Sequence, residues 1–220
     1  MFEAMVYILR VGCPWRDLPD HFGPWSSVYT RWRRWCQNGL WGRILEILAK
    51  NAVGRLRFVD SSHIKVHQDG SNPVNGQQNQ GIGRTKGGLN TKLSAWVDGR
   101  GRALCLALAP GQAADVKVAE YQEWPTLSNT TTVADKGYDS NAFRALLRQC
   151  GSRPCIPSRS LRREAVAWHR GYYRCRYRIE NFFQRAKRYR RVGTRYDKSQ
   201  LCFLSFVQLA AILDWLTNSF

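Results

Sequence analysis

Residues 177–187, YRIENFFQRAK, constrain the chain more than any other segment. At roughly 100° per residue, Ile179, Phe182, Phe183 and Ala186 fall within one arc of a helix. Such an arc needs a covering layer, so the rest of the chain must supply a sheet or further helices for it to pack on. Tyr173, Arg176, Glu180 and Lys187 follow at spacings of three, four and seven. One continuous helix would carry all four on a stripe beside the apolar arc. A carboxylate flanked by two cations and a phenol then lies where a buried face meets the surface. One reading is an exposed i,i+4 ion pair worth about 0.3–0.5 kcal/mol. The other is a groove in which the carboxylate holds a metal ion against a nucleic-acid backbone.

Charge favours the second reading. Lys and Arg number 34 against 16 Asp and Glu, a formal charge of +18. Such an excess points to a polyanionic partner, DNA or RNA first. A membrane surface is the competitor, and it calls for a basic amphipathic helix at a chain end. Eleven of the basic residues fall between 168 and 200, beside only Glu180 and Asp197, with tyrosines and phenylalanines interleaved. Basic groups neutralise phosphates and rings stack on exposed bases; a solvated basic face over a core stripe would have the same composition.

The cysteines number seven and include no Cys-x-x-Cys pair, which fits reduced thiols in a cytosolic protein rather than a disulfide or zinc framework. The first residues lack a charged leader and a cleavage site. Residues 201–216 are apolar but include Gln208 and Asp214, as a buried terminal helix would, and not a membrane span. These features point to a cytoplasmic, nucleoid-associated protein.

The expected organisation is an N-terminal helical region, 1–52, and a larger domain, 53–220. Helices are predicted over 2–10, from a Ser26 cap to about Gln37, and over 40–50. The middle one carries Val28, Trp32 and Trp35 on one face and Arg31, Arg33 and Arg34 toward the others. It suits a helix-turn-helix-like DNA-binding unit, or a small helical subdomain that its arginines solubilise. A strand with Leu56, Phe58, Val59, Ile64 and Val66 follows, then a polar loop over 70–90 ending in GRTKGG (83–88). That segment lacks Walker A spacing, though its glycines would let a backbone approach phosphates. Strands 91–98 and 102–109 form a hairpin about Asp98-Gly99, the second apolar enough to be buried on both faces. Helix 113–124, a strand ending in Asp135, helix 140–150, strand 153–156, the Glu180 helix and the terminal helix complete an α/β chain.

Asp60 and Asp135 each follow an apolar run. Two acids at one sheet edge, with Glu180 on a covering helix, can surround Mg²⁺, which needs few protein oxygens. A metal pair would then activate water or a 3′-hydroxyl and stabilise the leaving oxygen. Aspartates also end strands simply as turn formers. Asp139 competes with Asp135 but suits a helix cap. His63 and His67 share a strand face but stand four residues apart, too far for easy chelation.

At this point an ordered set of motifs becomes recognisable. VDSSHIKVH (59–67), GRTKGGLNTKL (83–93), ADKGYDS (134–140), the Tyr173, Arg176, Glu180 and Lys187 signature, and RYDK (195–198) resemble bacterial insertion-sequence transposases of the DDE superfamily, in the group named after insertion sequence five. GCPWRDLP (12–19) and FGPW (22–25) resemble that group's N-terminal region. The resemblance implies an RNase H-like catalytic domain, a mixed sheet flanked by helices. It implies Mg²⁺, with Mn²⁺ as substitute, on the triad Asp60, Asp135 and Glu180. Arg176 and Lys187 would meet phosphates near the element end and Tyr173 would position it, with Arg84, Lys86 and Lys92 of the basic signature on DNA as well. The partners would be terminal inverted repeats and target DNA, bound by a homo-oligomer. Relatives carry a further stretch before the position of Met1, so the chain reads as N-terminally short. A nuclease of the same fold, or a truncated, non-catalytic copy that occupies element ends, are the alternatives. Ser94 departs from the His that relatives carry there.

Overall fold

The structure is a computed structural model that describes residues 1–72 and 76–217. Three helices open the chain: α1 (Phe2–Val11), α2 (Trp25–Gln37) and α3 (Leu40–Ala49). The α2 cap is Pro24, not Ser26, and no side chain caps that end; proline's fixed φ starts the helix there. The sheet and remaining helices follow as β1 (Leu56–Val66), β2 (Gly83–Thr85), β3 (Gly88–Val97), β4 (Ala103–Pro110), α4 (Asp115–Tyr121), β5 (Thr130–Val133), α5 (Asn141–Gln149), β6 (Ser152–Cys155), α6 (Arg170–Arg174), α7 (Tyr177–Lys187), α8 (Arg190–Gly193), β7 (Thr194–Arg195) and α9 (Gln200–Thr217).

The sheet is mixed. β1 runs antiparallel to β3, which runs antiparallel to β4. On its other side β1 pairs in parallel with β5, and β5 with β6. The β1–β5 ladder ends at Phe58↔Val133, and β7 joins β1 only from Lys65 onward. A notch therefore opens along the middle of β1, and the candidate site lies in it. Two strand expectations change. Among the described residues, β4 has only β3 beside it along its length and is half-buried beyond Leu104, so its apolar run marks an edge and β3 is the buried strand. GRTKGG is a hairpin rather than loop: β2 pairs with the start of β3 through Thr85↔Gly88.

One apolar core runs from Met5 and Trp32 through Phe58 and Trp96 to Phe182 and Trp215. The tryptophans of the N-terminal helices belong to it: Trp32 stacks on Phe206 of α9 with ring centroids 4.0 Å apart. The helices of residues 1–52 thus share their core with the sheet instead of forming a separate one. α9 is long and apolar enough for a membrane span by length and composition. Here it packs inside the fold, with Phe203, Phe206, Val207, Leu209, Ala210 and Trp215 buried.

Candidate active site

Asp60 lies within β1, not beyond its end, and is paired with Ala95 across the β3 ladder. It is the second residue past the last β1–β5 pair, and Asp135 is likewise the second past Val133 on β5. Parallel register therefore carries both acids to the same end of adjacent strands. Asp135 caps a turn, accepting the Gly137 N–H at 2.7 Å. Asp60 accepts the Ser61 N–H at 2.8 Å. Burial, offset in part by that bond and by Arg176 and increased by the Asp135 charge, raises the Asp60 carboxyl to about 6.

Glu180 approaches from α7. The helix expected to carry the whole stripe is broken: α6 ends at Arg174 and α7 starts at Tyr177. Across the break, Cys175 N–H bonds Tyr172 O, Arg176 N–H bonds Tyr173 O and Ile179 N–H bonds Arg176 O. These three-residue bonds tighten the turn, and residues three apart then nearly eclipse, so Tyr173 stays aligned with Arg176. The Arg176 guanidinium donates to Asp60 Oδ2 at 2.6 Å and to Glu180 Oε1. Burial works against its charge, but Asp60 and Glu180 outweigh that and raise its pKa.

Three further cations on α7 face inward. Lys187 Nζ donates to Ser62 Oγ at 2.7 Å and to the His63 carbonyl at 3.0 Å, in the part of β1 that lacks a strand partner on that side; burial lowers its pKa. Arg178 donates to the Gly99 carbonyl. Arg185 pairs with Asp214 at 2.6 Å and donates to the Gly101 carbonyl at 2.8 Å. The Glu180 helix is thus tied to β1 and to the β3–β4 turn.

On the opposite sheet face Ser61 donates to Asp115 Oδ1, and Lys92 donates to the same carboxylate at 2.5 Å and to the Ala113 carbonyl. Lys92 was expected on DNA; it is 5% exposed and belongs to this internal network. Its strand position turns it inward, away from the exposed Arg84 and Lys86 at the β2–β3 hairpin tip. Ser94, opposite Ser61, is fully buried. The buried Tyr138 phenol is held well above its ordinary pKa by desolvation and the Asp60 charge. Sequence reasoning missed Ser61 and Tyr138, although both sit inside the motifs that drew attention to Asp60 and Asp135, and it ranks Asp115 only as a weaker loop or turn acid, whereas Asp115 opens α4 and accepts from Ser61 and Lys92.

Asp139 is no helix cap. Ser140 holds that place, accepting Phe143 N–H at 3.4 Å, while Asp139 takes Arg144 at 2.9 Å and Arg162 at 2.7 Å. His63 Nε2 lies 2.9 Å from the Gly111 carbonyl, and His67 pairs with Asp69. Arg31, Arg33 and Arg34 are exposed on α2. Tyr173 packs its ring edge on Trp168. Among the described residues, no three His, Cys, Asp or Glu side chains are close enough to hold a metal ion. The donor chemistry nevertheless suits a hard divalent cation: carboxylate oxygens, one of them desolvated, with a guanidinium now supplying positive charge between Asp60 and Glu180.

The family described as "Transposase DDE domain" matches residues 51–213. This chain belongs to that family of transposases. Residues 1–45 match "Putative transposase of IS4/5 family", so this is an insertion-sequence DDE transposase, with an N-terminal helical region and a mixed sheet flanked by helices. Domains of this family generally use divalent metal ions. The chain is 33% identical over 132 residues to a putative transposase for insertion sequence element IS6501 of Brucella ovis, covering 58% of this chain and 99% of the relative. It is 38% identical over 71 residues to the insertion element IS402 uncharacterized 16.2 kDa protein of Burkholderia cepacia, 28% of this chain and 48% of that protein. Among solved structures, the piggyBac transposase synaptic complex with hairpin DNA aligns with TM-score 0.46 at 8% identity, over 83% of this chain and 52% of that one. A pre-cleavage Mos1 transpososome aligns at 0.31 and 12% identity, over 99% of this chain and 78% of that one.

Proposed function

We propose that this transposase binds the terminal inverted repeats of its element, cleaves the DNA there and joins the freed 3′-hydroxyl to target DNA. Asp60, Asp135 and Glu180 are the catalytic carboxylates in this reading, and they would hold Mg²⁺, or Mn²⁺ in its place. The ions would supply Lewis-acid charge to the attacking and leaving oxygens of a phosphodiester.

The observation that carries the reading is the single guanidinium joining Asp60 to Glu180 while Asp135 stands at the same end of the neighbouring strand. Arg176 would turn from these carboxylates to a phosphate oxygen as DNA enters, since a guanidinium matches either partner with two N–H donors. Tyr173, aligned with it, would set the end of the element against the site. Lys187 would hold β1 and α7 together, with its charge directed at the backbone of the bound end. Arg84 and Lys86 on the hairpin tip and Arg31, Arg33 and Arg34 on α2 would carry phosphates farther along the duplex. Two copies of the chain would pair the two element ends.

The test is strand cleavage and joining on DNA that carries the flanking ends, with Mg²⁺, comparing the wild type with Asp135→Asn. Products from the wild type alone support the reading. Metal-dependent cleavage that survives Asp60→Asn and Glu180→Gln would reject the triad, and cleavage without joining would reassign the chain as a nuclease.

A further inference from the structure

A second basic cleft opens at the starting ends of the parallel strands. Arg55 directly precedes β1, Asn129 directly precedes β5, and Arg153 is the second residue of β6. With Thr131 and with Tyr172 of α6 they line a cleft of about 550 Å³ to which no described carboxylate contributes. Leu56, Thr131 and Arg153 are register partners across the three strands, so their side chains leave the sheet on one face. Phe58, Val133 and Cys155 form the next row, all buried. Asp60, two residues past Phe58, points from the same face. The chain from α6 into α7 crosses these rows: the His169 carbonyl accepts the Cys155 S–H at 3.4 Å, and Arg176 reaches Asp60. Cleft and candidate active site therefore share one side of the sheet. Asp60 is four residues beyond Leu56, roughly 13 Å of strand.

The cleft differs from the other arginine sites in lacking a counter-charge. Arg102, Arg144, Arg162, Arg176, Arg185 and Arg191 each pair with a carboxylate. The Arg55 and Arg153 guanidiniums are exposed and have no hydrogen-bond or ion-pair partner among the described residues. Two unneutralised cations on one cleft repel, and a phosphate between them relieves the repulsion. Tyr172 supplies a second kind of contact. Its ring is 42% exposed and stacks on His169 with centroids 4.0 Å apart, while its N–H donates to His169 Nδ1 at 3.1 Å. A ring held in place beside two cations is a platform for a base whose phosphate the cations take. Asn129 and Thr131 add neutral side chains of the kind that meet phosphate oxygens. In a duplex the base faces are stacked on one another, so the strand that reaches Tyr172 must be unpaired.

We propose that this cleft is a single-strand subsite. It binds an unpaired nucleotide of the DNA strand that continues from the scissile phosphate along the sheet face, with the base on Tyr172 and the phosphate between Arg55 and Arg153. The separation corresponds to about four nucleotides at the rise of a stacked strand, and to fewer where the strand is extended. The distance from the cut rests on the reading of Asp60, Asp135 and Glu180 as the catalytic carboxylates; the binding of single-stranded DNA does not.

The experiment measures binding of a short fluorescent oligothymidylate to the full chain by anisotropy, in chelator and over a range of salt, so that no chemistry is involved. Arg55→Ala and Arg153→Ala are each expected to lower the slope of log K against log salt by about 0.7, the single-strand value per phosphate. Tyr172→Leu should weaken binding about 5- to 100-fold, the scale of one stacked base, and Tyr172→Phe should stay within about twofold of wild type. In the wild type, 5-iodouracil placed singly along a DNA end should photo-crosslink to Tyr172 from a position about two to four nucleotides from the scissile phosphate. Unchanged binding in all three of the Arg55→Ala, Arg153→Ala and Tyr172→Leu variants would overturn the proposal. So would a loss in the arginine variants with none in Tyr172→Leu, which describes a small-anion site, or a crosslink that never falls on Tyr172. The crosslink needs no variant and decides the matter even where a substituted chain fails to fold. Oligothymidylate effects without any cleavage of element ends would keep the cleft and reject the catalytic reading, and cleavage with no such effects would do the reverse.

Discussion

Arg176 Nη1 stands 2.6 Å from Asp60 Oδ2 while the other terminal nitrogen of the same guanidinium donates to Glu180. One side chain thereby joins the central strand to the helix that crosses it, at the notch between β5 and β7. A planar fork can hold two carboxylates in this way, and a lysine offers only a point charge. Arg176→Ala is expected to slow single-turnover cleavage at least about 10²-fold, the scale of losing a positioned charge stabiliser. Arg176→Lys should recover only part of that. Cleavage by the alanine variant at close to the wild-type rate would remove Arg176 from the machinery.

Asp60 ties stability to pH. Its carboxyl is raised from an ordinary 3.8 to about 6, chiefly by burial. Between those values the folded chain binds a proton that the unfolded chain releases. The contribution to stability is therefore fully present below about pH 4 and lost as pH rises through about 6. Asp60→Asn removes the titration, so the variant should gain on the wild type by about 1–3 kcal/mol between pH 4 and pH 8. Thermal melts of both proteins across that range check it, and a pH-independent difference in Tm would contradict the assigned shift.

The contrast between α7 and its arginines shows what was legible in the chain. Ile179, Phe182, Phe183 and Ala186 are buried as their spacing dictates, because helical periodicity is local and needs no knowledge of the partner. The same holds for β1 and the β3–β4 hairpin. The inward course of Arg178, Arg185, Arg191 and Arg195 was not legible. Each depends on an acceptor distant in sequence: Gly99, Asp214, the Cys13 carbonyl and Thr91. A basic run thus read as a phosphate-facing or solvated surface, although about half of it ties the fold together. The notch in the sheet was equally hidden, since it arises from where β5 stops and β7 begins, a matter of register and not of composition. Asp60 and Asp135 could be singled out as acids after apolar runs; their placement at one end of adjacent strands needed the Phe58↔Val133 pairing.

Gly101 governs how closely α7 approaches the β3–β4 turn. Its φ is +81°, and a Cβ there would stand 2.8 Å from the Arg178 carbonyl oxygen. That neighbour is backbone and cannot swing aside. Gly101→Ala is expected to cost about 1–3 kcal/mol through the left-handed conformation and the clash together. It should also slow cleavage, since displacing α7 moves Glu180 relative to Asp60. Melting temperature and single-turnover rate should fall together, and a variant with wild-type values of both would show that the turn relaxes without moving the helix.

Lys92 and the pair Arg84 and Lys86 lie on one hairpin yet should behave oppositely. Lys92 is buried against Asp115, whose side chain is 40% exposed, so solvent screens part of the pair. Lys92→Met should cost about 1–2 kcal/mol, less than a fully buried pair would, and leave the salt dependence of DNA binding as it was. Arg84→Ala and Lys86→Ala should leave Tm within about 0.5 kcal/mol of wild type, as exposed substitutions do. Each should lower the slope of log K against log salt by about one if its cation neutralises a phosphate. Binding isotherms from low to moderate salt, with melts on the same preparations, separate the two roles. A reduced salt slope in Lys92→Met with an unchanged melt would return Lys92 to the DNA surface.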